Sequence, residues 1–321
     1  MAERVIHPPA PPFEVRLAVP DIAPWLDGNT GVRGFTTYTA SRPGPHVALL
    51  ALTHGNEISG GIVLDQLLRA GFAPTRGRVT FGFVDLEAFQ RFDPRQPTAS
   101  RFVDEDINRV WDVAVLDGPR HSVELERARE IRPLLDTVDV LLDLHSMLWP
   151  SEPVTLCGET EKGKRLALEN AVPAMVVADR GHAGGKRIID YPRFADPDTP
   201  YVGNLIEAGQ HWEPATVDIA REAVGALLHR LEMAPVCAAL PPPLPRARPR
   251  FARVTRVVTA TTANFSFTQE YRGGDVIARR NTVIALDGTM EIRTPHNDCL
   301  LVMPSLRPSR GHTAVRLGKF E

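Results

Sequence analysis

The apolar run Val47 to Leu52 stops at Thr53–His54–Gly55–Asn56–Glu57, and this junction constrains the fold more than any other stretch of the chain. A short run without polar interruption reads as a strand buried on both faces, the kind found in parallel sheets covered by helices. Ile58, Ile62, Val63, Leu64, Leu67 and Leu68 follow at helical spacing, and Gly71 suits the C-terminal cap of that helix. Strand, turn and helix in this order put His54 and Glu57 at the carboxyl end of a strand, where open α/β sheets carry their chemistry. Gly55 lies in the tight turn between them and is free to take a backbone conformation that other residues resist. An imidazole and a carboxylate can then meet one ion.

The same grammar recurs downstream. Val138 to Leu144 is a second apolar run and ends in Asp143–Leu144–His145–Ser146. Two imidazoles and one carboxylate, with a fourth position for water, form the usual ligand set of a catalytic zinc. Asp143 shares a strand face with His145 and is placed to orient it. Taken singly, each residue has a plainer role: a hydrogen-bonded histidine at a strand end, an acid in the first turn of a helix at Glu57, a buried carboxylate at Asp143.

Further strands are expected at Arg78 to Val84, Val154 to Cys157, Met175 to Ala178 and Tyr201 to Glu207. Helices are expected at Val123 to Leu135, with Pro133 ending or kinking it, at Lys162 to Asn170, and from Pro214 to Leu231. This alternation predicts an α/β fold with a mixed, mostly parallel sheet flanked by helices. Phe89 to Val110 is poor in periodic apolar positions yet carries Arg91, Arg95, Arg101, Asn108 and Arg109; long loops of this kind are commonly functional. For Arg101 and Arg109 the competing role is pairing with Asp104, Glu105 or Asp106. The loop with Gly181, Gly184 and Gly185 lacks a full phosphate-binding pattern.

The division expected from composition is a catalytic domain over 1–234, with an irregular arm at 1–45, a proline-rich linker over 235–250, and a β-rich C-terminal domain over 251–321. Within the arm, the alternation from Phe13 to Val19 predicts a short strand. The C-terminal strands are expected at Val254 to Thr262, Val276 to Ala278, Thr282 to Leu286, Leu300 to Met303 and Ala314 to Leu317.

A net charge of −2 over 321 residues gives no sign of nucleic-acid binding or of a polybasic membrane surface. Cys157, Cys237 and Cys299 are too few and too scattered for a disulfide framework and are expected to be inert thiols. Neither a signal peptide nor an apolar span is visible, so a cytoplasmic protein is expected. His121, His182, His211 and His296 have no partner spacing, and surface or packing roles are expected for them.

His54–Gly55–Asn56–Glu57, Asp106–Ile107–Asn108–Arg109, Asp143–Leu144–His145–Ser146 and Ile206–Glu207–Ala208–Gly209 occur in the order of the succinylglutamate desuccinylase and aspartoacylase family, which the chain resembles over roughly residues 45 to 212. That family is a branch of the zinc carboxypeptidase clan. The resemblance implies a zinc carboxypeptidase-like α/β fold with a small C-terminal all-β domain, and one zinc per chain held by His54, Glu57 and His145. It implies Glu207 as general base and then acid, Arg101 as the donor that polarises the scissile carbonyl, and Asn108 with Arg109 as the holders of a substrate carboxylate. Further family contacts from the segment before Glu207 and from the C-terminal domain do not align clearly, and Arg193, Tyr201 and Tyr271 are the candidates for them.

The function expected is zinc-dependent hydrolysis of the amide bond of a small N-acyl amino acid, with a homo-oligomeric assembly left open. A zinc carboxypeptidase acting on short peptides would use nearly the same site, and a non-catalytic metal-binding or ligand-binding homologue would keep the ligands without needing Glu207.

Overall fold

The structure is a computed structural model that describes residues 13–181, 184–235, 239–240 and 248–321. Cys237, His182 and most of the expected proline-rich linker lie outside the described residues. The strands are β1 (Phe35–Thr39), β2 (His46–Ala51), β3 (Arg78–Phe83), β4 (Val140–Met147), β5 (Val154–Leu156), β6 (Met175–Ala178) and β7 (Val202–Gln210). They continue as β8 (Arg250–Thr259), β9 (Phe265–Phe267), β10 (Val276–Ile277), β11 (Val283–Asp287), β12 (Met290–Arg293), β13 (Cys299–Val302) and β14 (Thr313–Phe320). The helices are α1 (Ile58–Arg69), α2 (Leu86–Gln90), α3 (Val113–Leu116), α4 (Val123–Leu135), α5 (Glu161–Asn170), α6 (Pro192–Ala195) and α7 (Pro214–Arg230).

An 11-stranded sheet runs in the order β1-β3-β2-β4-β7-β5-β6-β8-β14-β13-β10. Strands β3, β2, β4 and β7 are parallel to one another, whereas β1 and β5 join them antiparallel. This is the mixed, mostly parallel catalytic sheet expected from the sequence. The apolar runs are continuous because both faces are covered. Val47, Leu49 and Ala51 of β2 pack into the core shared with Val63, Leu67, Val224 and Leu227 of α1 and α7. Ala48 and Leu50 pack the other way, with Leu125, Ala128 and Ile131 of α4 and with Trp111. Gly71 follows α1 with a φ of 67°, as a glycine after a helix end should.

The C-terminal strands extend the same sheet, since β8 pairs in parallel with β6 through Met175 to Ala178 against Arg250 to Arg253. Strands β12, β11 and β9 form a separate 3-stranded sheet that shares a small core with β8, β13 and β14, in which Ile284 and Ile292 meet Val258, Leu301 and Val315.

Two local expectations are corrected. Phe13 to Val19 forms no strand. Its ring and backbone find partners in the irregular turn after β7 instead: Arg16 N donates to Trp212 O at 3.2 Å, and Phe13 lies edge-on to Trp149 and Trp212. The arm's ordered strand is β1, in which Phe35 is fully buried. Helix α4 spans Val123–Leu135 as expected, with Pro133 in its last turn. No described helix is long and apolar enough to cross a membrane.

Candidate active site

The turn after β2 aims His54 by means that differ from the expected ones. The left-handed residue is Leu52, with a φ of 55°, and not Gly55. Such a conformation strains a side chain with a Cβ, and it holds because Leu52 is wholly buried while its carbonyl accepts from Asp85 N at 2.8 Å. Gly55 is required by space: a Cβ there would lie 2.3 Å from Ala88 C and 2.6 Å from Ser100 O. The loop that carries Arg101 thus rests directly on the turn, and Gly55 N donates to Arg101 O at 3.2 Å.

His54, Glu57 and His145 converge, all three buried, with potential ligand atoms within 4.8 Å of one another. Both Nδ1 atoms face the Glu57 carboxylate, His54 at 2.7 Å from Oε1 and His145 at 3.0 Å from Oε2. Each ring is backed by another carboxylate on its far side. Asp143 Oδ2 lies 2.8 Å from His145 Nε2, and Asp106 Oδ1 lies 2.9 Å from His54 Nε2. Asp143 is itself fixed by the Thr53 hydroxyl, which donates to its Oδ1 at 2.8 Å. Burial opposes charge on His145, yet Asp143 and Glu57 hold its pKa well above the ordinary histidine value. Burial would likewise raise Glu57, but His54 and His145 hold its carboxyl well below the ordinary range. A pocket that gathers positive charge between carboxylate-backed imidazoles suits a divalent cation, which competes with protons for the same atoms. The donor set fits zinc.

Glu207 pairs in register with His145 across β4 and β7 and is 7% exposed. Its Oε2 has no hydrogen-bond partner, and burial, followed by repulsion from Glu57, pushes its carboxyl up to about 8. A carboxyl poised near neutrality and aimed into a site is suited to proton transfer. Arg101 comes in from the loop, donating to Glu57 Oε1 at 3.0 Å and lying 3.3 Å from Asp106 Oδ2.

Asn108 and Arg109 occupy the opposite flank, on the short helix Ile107–Arg109. The Asn108 amide lies 3.5 Å from His145 Nε2, and its Oδ1 accepts from Ile188 N at 2.7 Å. Arg109 lies 3.4 Å from Asp106 Oδ2, and burial with the repulsion of Arg101, Arg316 and Arg187 pulls its pKa down to about 10. A guanidinium crowded by three others favours an incoming anion.

The structure adds residues that the sequence reading passed over. Asp106 is the partner of His54, not only an ion-pair partner of arginines. His211 is buried beside the site: its Nδ1 lies 2.7 Å from the Oγ of Ser146, whose backbone N donates to Glu57 Oε2 at 2.9 Å. Gly185 packs on the Arg109 backbone, where a Cβ would sit 2.0 Å from Arg109 O. Arg193 and Tyr201 stack on each other at 3.5 Å, with the Arg193 guanidinium on Val138 O, which precedes β4, far from its carboxyl end. Tyr271 belongs to the C-terminal core. Cys157 and Cys299 are buried and free, and burial pushes the Cys157 thiol up to about 12, as inert thiols should behave.

Residues 43–175 match the model of the succinylglutamate desuccinylase/aspartoacylase catalytic domain. The chain is 29% identical over 120 residues to the aspartoacylase of Mus musculus, a match that covers 35% of this chain and 37% of the relative. It is 31% identical over 113 residues to that of Xenopus tropicalis, covering 32% and 34%. The matches thus span about a third of these curated relatives. The fold is that of the succinylglutamate desuccinylase of Vibrio cholerae, with a TM-score of 0.67 at 19% identity over 90% of this chain and 86% of the other.

Proposed function

We propose that the chain is a member of the succinylglutamate desuccinylase/aspartoacylase family, whose catalytic-domain model residues 43–175 match, and that it is a zinc-dependent hydrolase that cleaves the amide bond of a small N-acyl amino acid. The observation that carries this reading is the placement of Glu207: a buried carboxyl with a free oxygen, one strand away from a His54–Glu57–His145 cluster. A metal-binding module would have no use for it.

Zinc bound by His54, Glu57 and His145 supplies a Lewis acid and a water of lowered pKa, at about 7. The chain's own groups do the rest. Glu207 takes the proton of the attacking water as the carbon–oxygen bond forms, and returns it to the nitrogen as the carbon–nitrogen bond breaks, so that a carboxylic acid and an amine leave. Arg101 stands ready to donate to the oxygen on which negative charge develops. Arg109, oriented by Gly185 and by Asp106, pairs with the substrate carboxylate, and Asn108 is locked beside it by Ile188. Asp106 and Asp143 hold the two imidazoles in orientation.

Hydrolysis of N-acyl amino acids by the zinc-loaded chain, followed by release of the free amine, tests this reading against a panel of dipeptides. Turnover of the N-acyl amino acids supports it; turnover of dipeptides alone would replace it with a carboxypeptidase.

A further inference from the structure

Beside the metal cluster, away from Asn108 and Arg109, lies a cavity of about 130 Å³. Pockets that hold drug-sized ligands run to about 300–1,000 Å³. This one has room for a small group only. Glu57, Arg101 and Glu207 are among its lining residues, so it opens onto the candidate metal site. Met147, Trp149, Met303 and Pro304 supply apolar lining, and Ser146, Ser151 and Ser305 line it as well, with His211.

That wall is fixed and uncharged. His211 N donates to Met147 O at 2.7 Å, and its Nδ1 meets the Ser146 hydroxyl. Burial pulls the His211 pKa down to about 4, so the ring is neutral at physiological pH. Trp149 is held edge-on by Phe13 with ring centres 5.5 Å apart. Met303 has a φ of 50° immediately before a proline, a combination that a methionine adopts only when its surroundings impose it. The imposed turn sets Met303 and Pro304, from the C-terminal strands, against the cavity. Among the described residues lining it, Arg101 is the one cation, and it already faces Glu57 and Asp106.

We infer that this cavity receives the acyl side of the substrate, and that it accepts a short, uncharged acyl group while rejecting one that bears its own carboxylate. An acetyl or propionyl chain would lie on Met147, Trp149 and Met303 at no electrostatic cost. A succinyl chain would carry a carboxylate beside Glu57 into a lining whose other polar groups, apart from Arg101, are neutral, the Ser146, Ser151 and Ser305 hydroxyls included, with no spare cation to meet it. The inference rests on the deacylase reading, because that reading places the substrate carboxylate at Arg109 and leaves this cavity for the acyl group.

The test uses the zinc-loaded full chain and the N-acetyl, N-propionyl and N-succinyl forms of the same set of amino acids. Expected is a kcat/KM for the acetyl or propionyl form at least tenfold above that of the succinyl form. His211→Arg should narrow that gap by supplying a cation, and Met303→Ala should raise kcat/KM for longer neutral acyl groups. As a readout independent of turnover, acetate should bind the zinc-loaded protein in calorimetry at least as tightly as succinate. Equal or preferred hydrolysis of the succinyl form, with tighter succinate binding, would overturn the inference and leave the hydrolase reading standing. No hydrolysis of any N-acyl amino acid would overturn the hydrolase reading, and the inference with it.

Discussion

Asp106 Oδ1 lies 2.9 Å from His54 Nε2, on the side of the ring away from Glu57. The same carboxylate is 3.3 Å from Arg101 and 3.4 Å from Arg109 through Oδ2, so one partly buried acid contacts a candidate metal ligand and two arginines of the candidate site. Asp106→Asn keeps the shape and loses the charge. Zinc affinity should fall by about 10- to 100-fold, measured by competition with a chelator, with the fold retained. Unchanged affinity would show that Asp106 serves the arginines alone.

Glu207→Gln removes the proposed proton carrier while leaving His54, Glu57 and His145 in place. Turnover should fall by about 10²- to 10⁴-fold while zinc content stays the same. Steady-state rates alongside metal analysis distinguish this from simple loss of the ion.

Replacing Arg101 by Ala should lower kcat by about 10²- to 10³-fold, the usual cost of a donor to a developing oxyanion. Replacing Arg109 by Ala should act chiefly on KM for substrates with a carboxylate and spare amides that lack one. A loss of equal size on both substrate types would contradict the role given to Arg109.

Gly55→Ala places a methyl group against the Ala88 and Ser100 backbone, at 2.3 and 2.6 Å. Backbone cannot yield as a flexible side chain does, so the variant should lose at least about 1–3 kcal/mol of stability in denaturant unfolding. Because Gly55 also bonds to Arg101 O, activity should fall further than the loss of folded protein explains.

His46, 3% exposed at the start of β2, is hydrogen-bonded to Thr137 O and Thr80 Oγ1, and burial pulls its pKa down to about 4. The unfolded chain, with an ordinary histidine pKa of about 6.5, binds more protons than the native state between these values. Stability is therefore fully present above about pH 6.5 and declines as pH falls through about 4, by about 3 kcal/mol from this group. Unfolding measured across that window should show a shallower decline for His46→Gln; an unchanged slope would place the titration elsewhere.

Much of this arrangement was legible in the sequence because the signals were local. Val47 to Leu52 and Val138 to Leu144 are apolar on both faces, so they read as covered strands, and the histidines at their ends mark the sheet's carboxyl edge. What was not legible depends on distant approach. Gly55 is required by the close backbone at Ala88 and Ser100, and the strain sits on Leu52, where no residue type announces it. His211 has no motif because its partner Ser146 is 65 residues earlier. Strands β9 and β12 escaped notice because they are short and partly exposed, so neither shows a buried run. Phe13 to Val19 alternates like a strand, yet no sheet edge reaches it.

The central claim is that His54, Glu57 and His145 hold one catalytic zinc. Metal analysis of the purified chain, with amide hydrolysis followed before chelation, after it, and after zinc is restored, tests it most directly. The account predicts about one zinc per chain, with activity that disappears on chelation and returns with zinc. Hydrolysis that persists in a protein shown to be free of metal, or a chain that cannot be loaded with zinc, would contradict it.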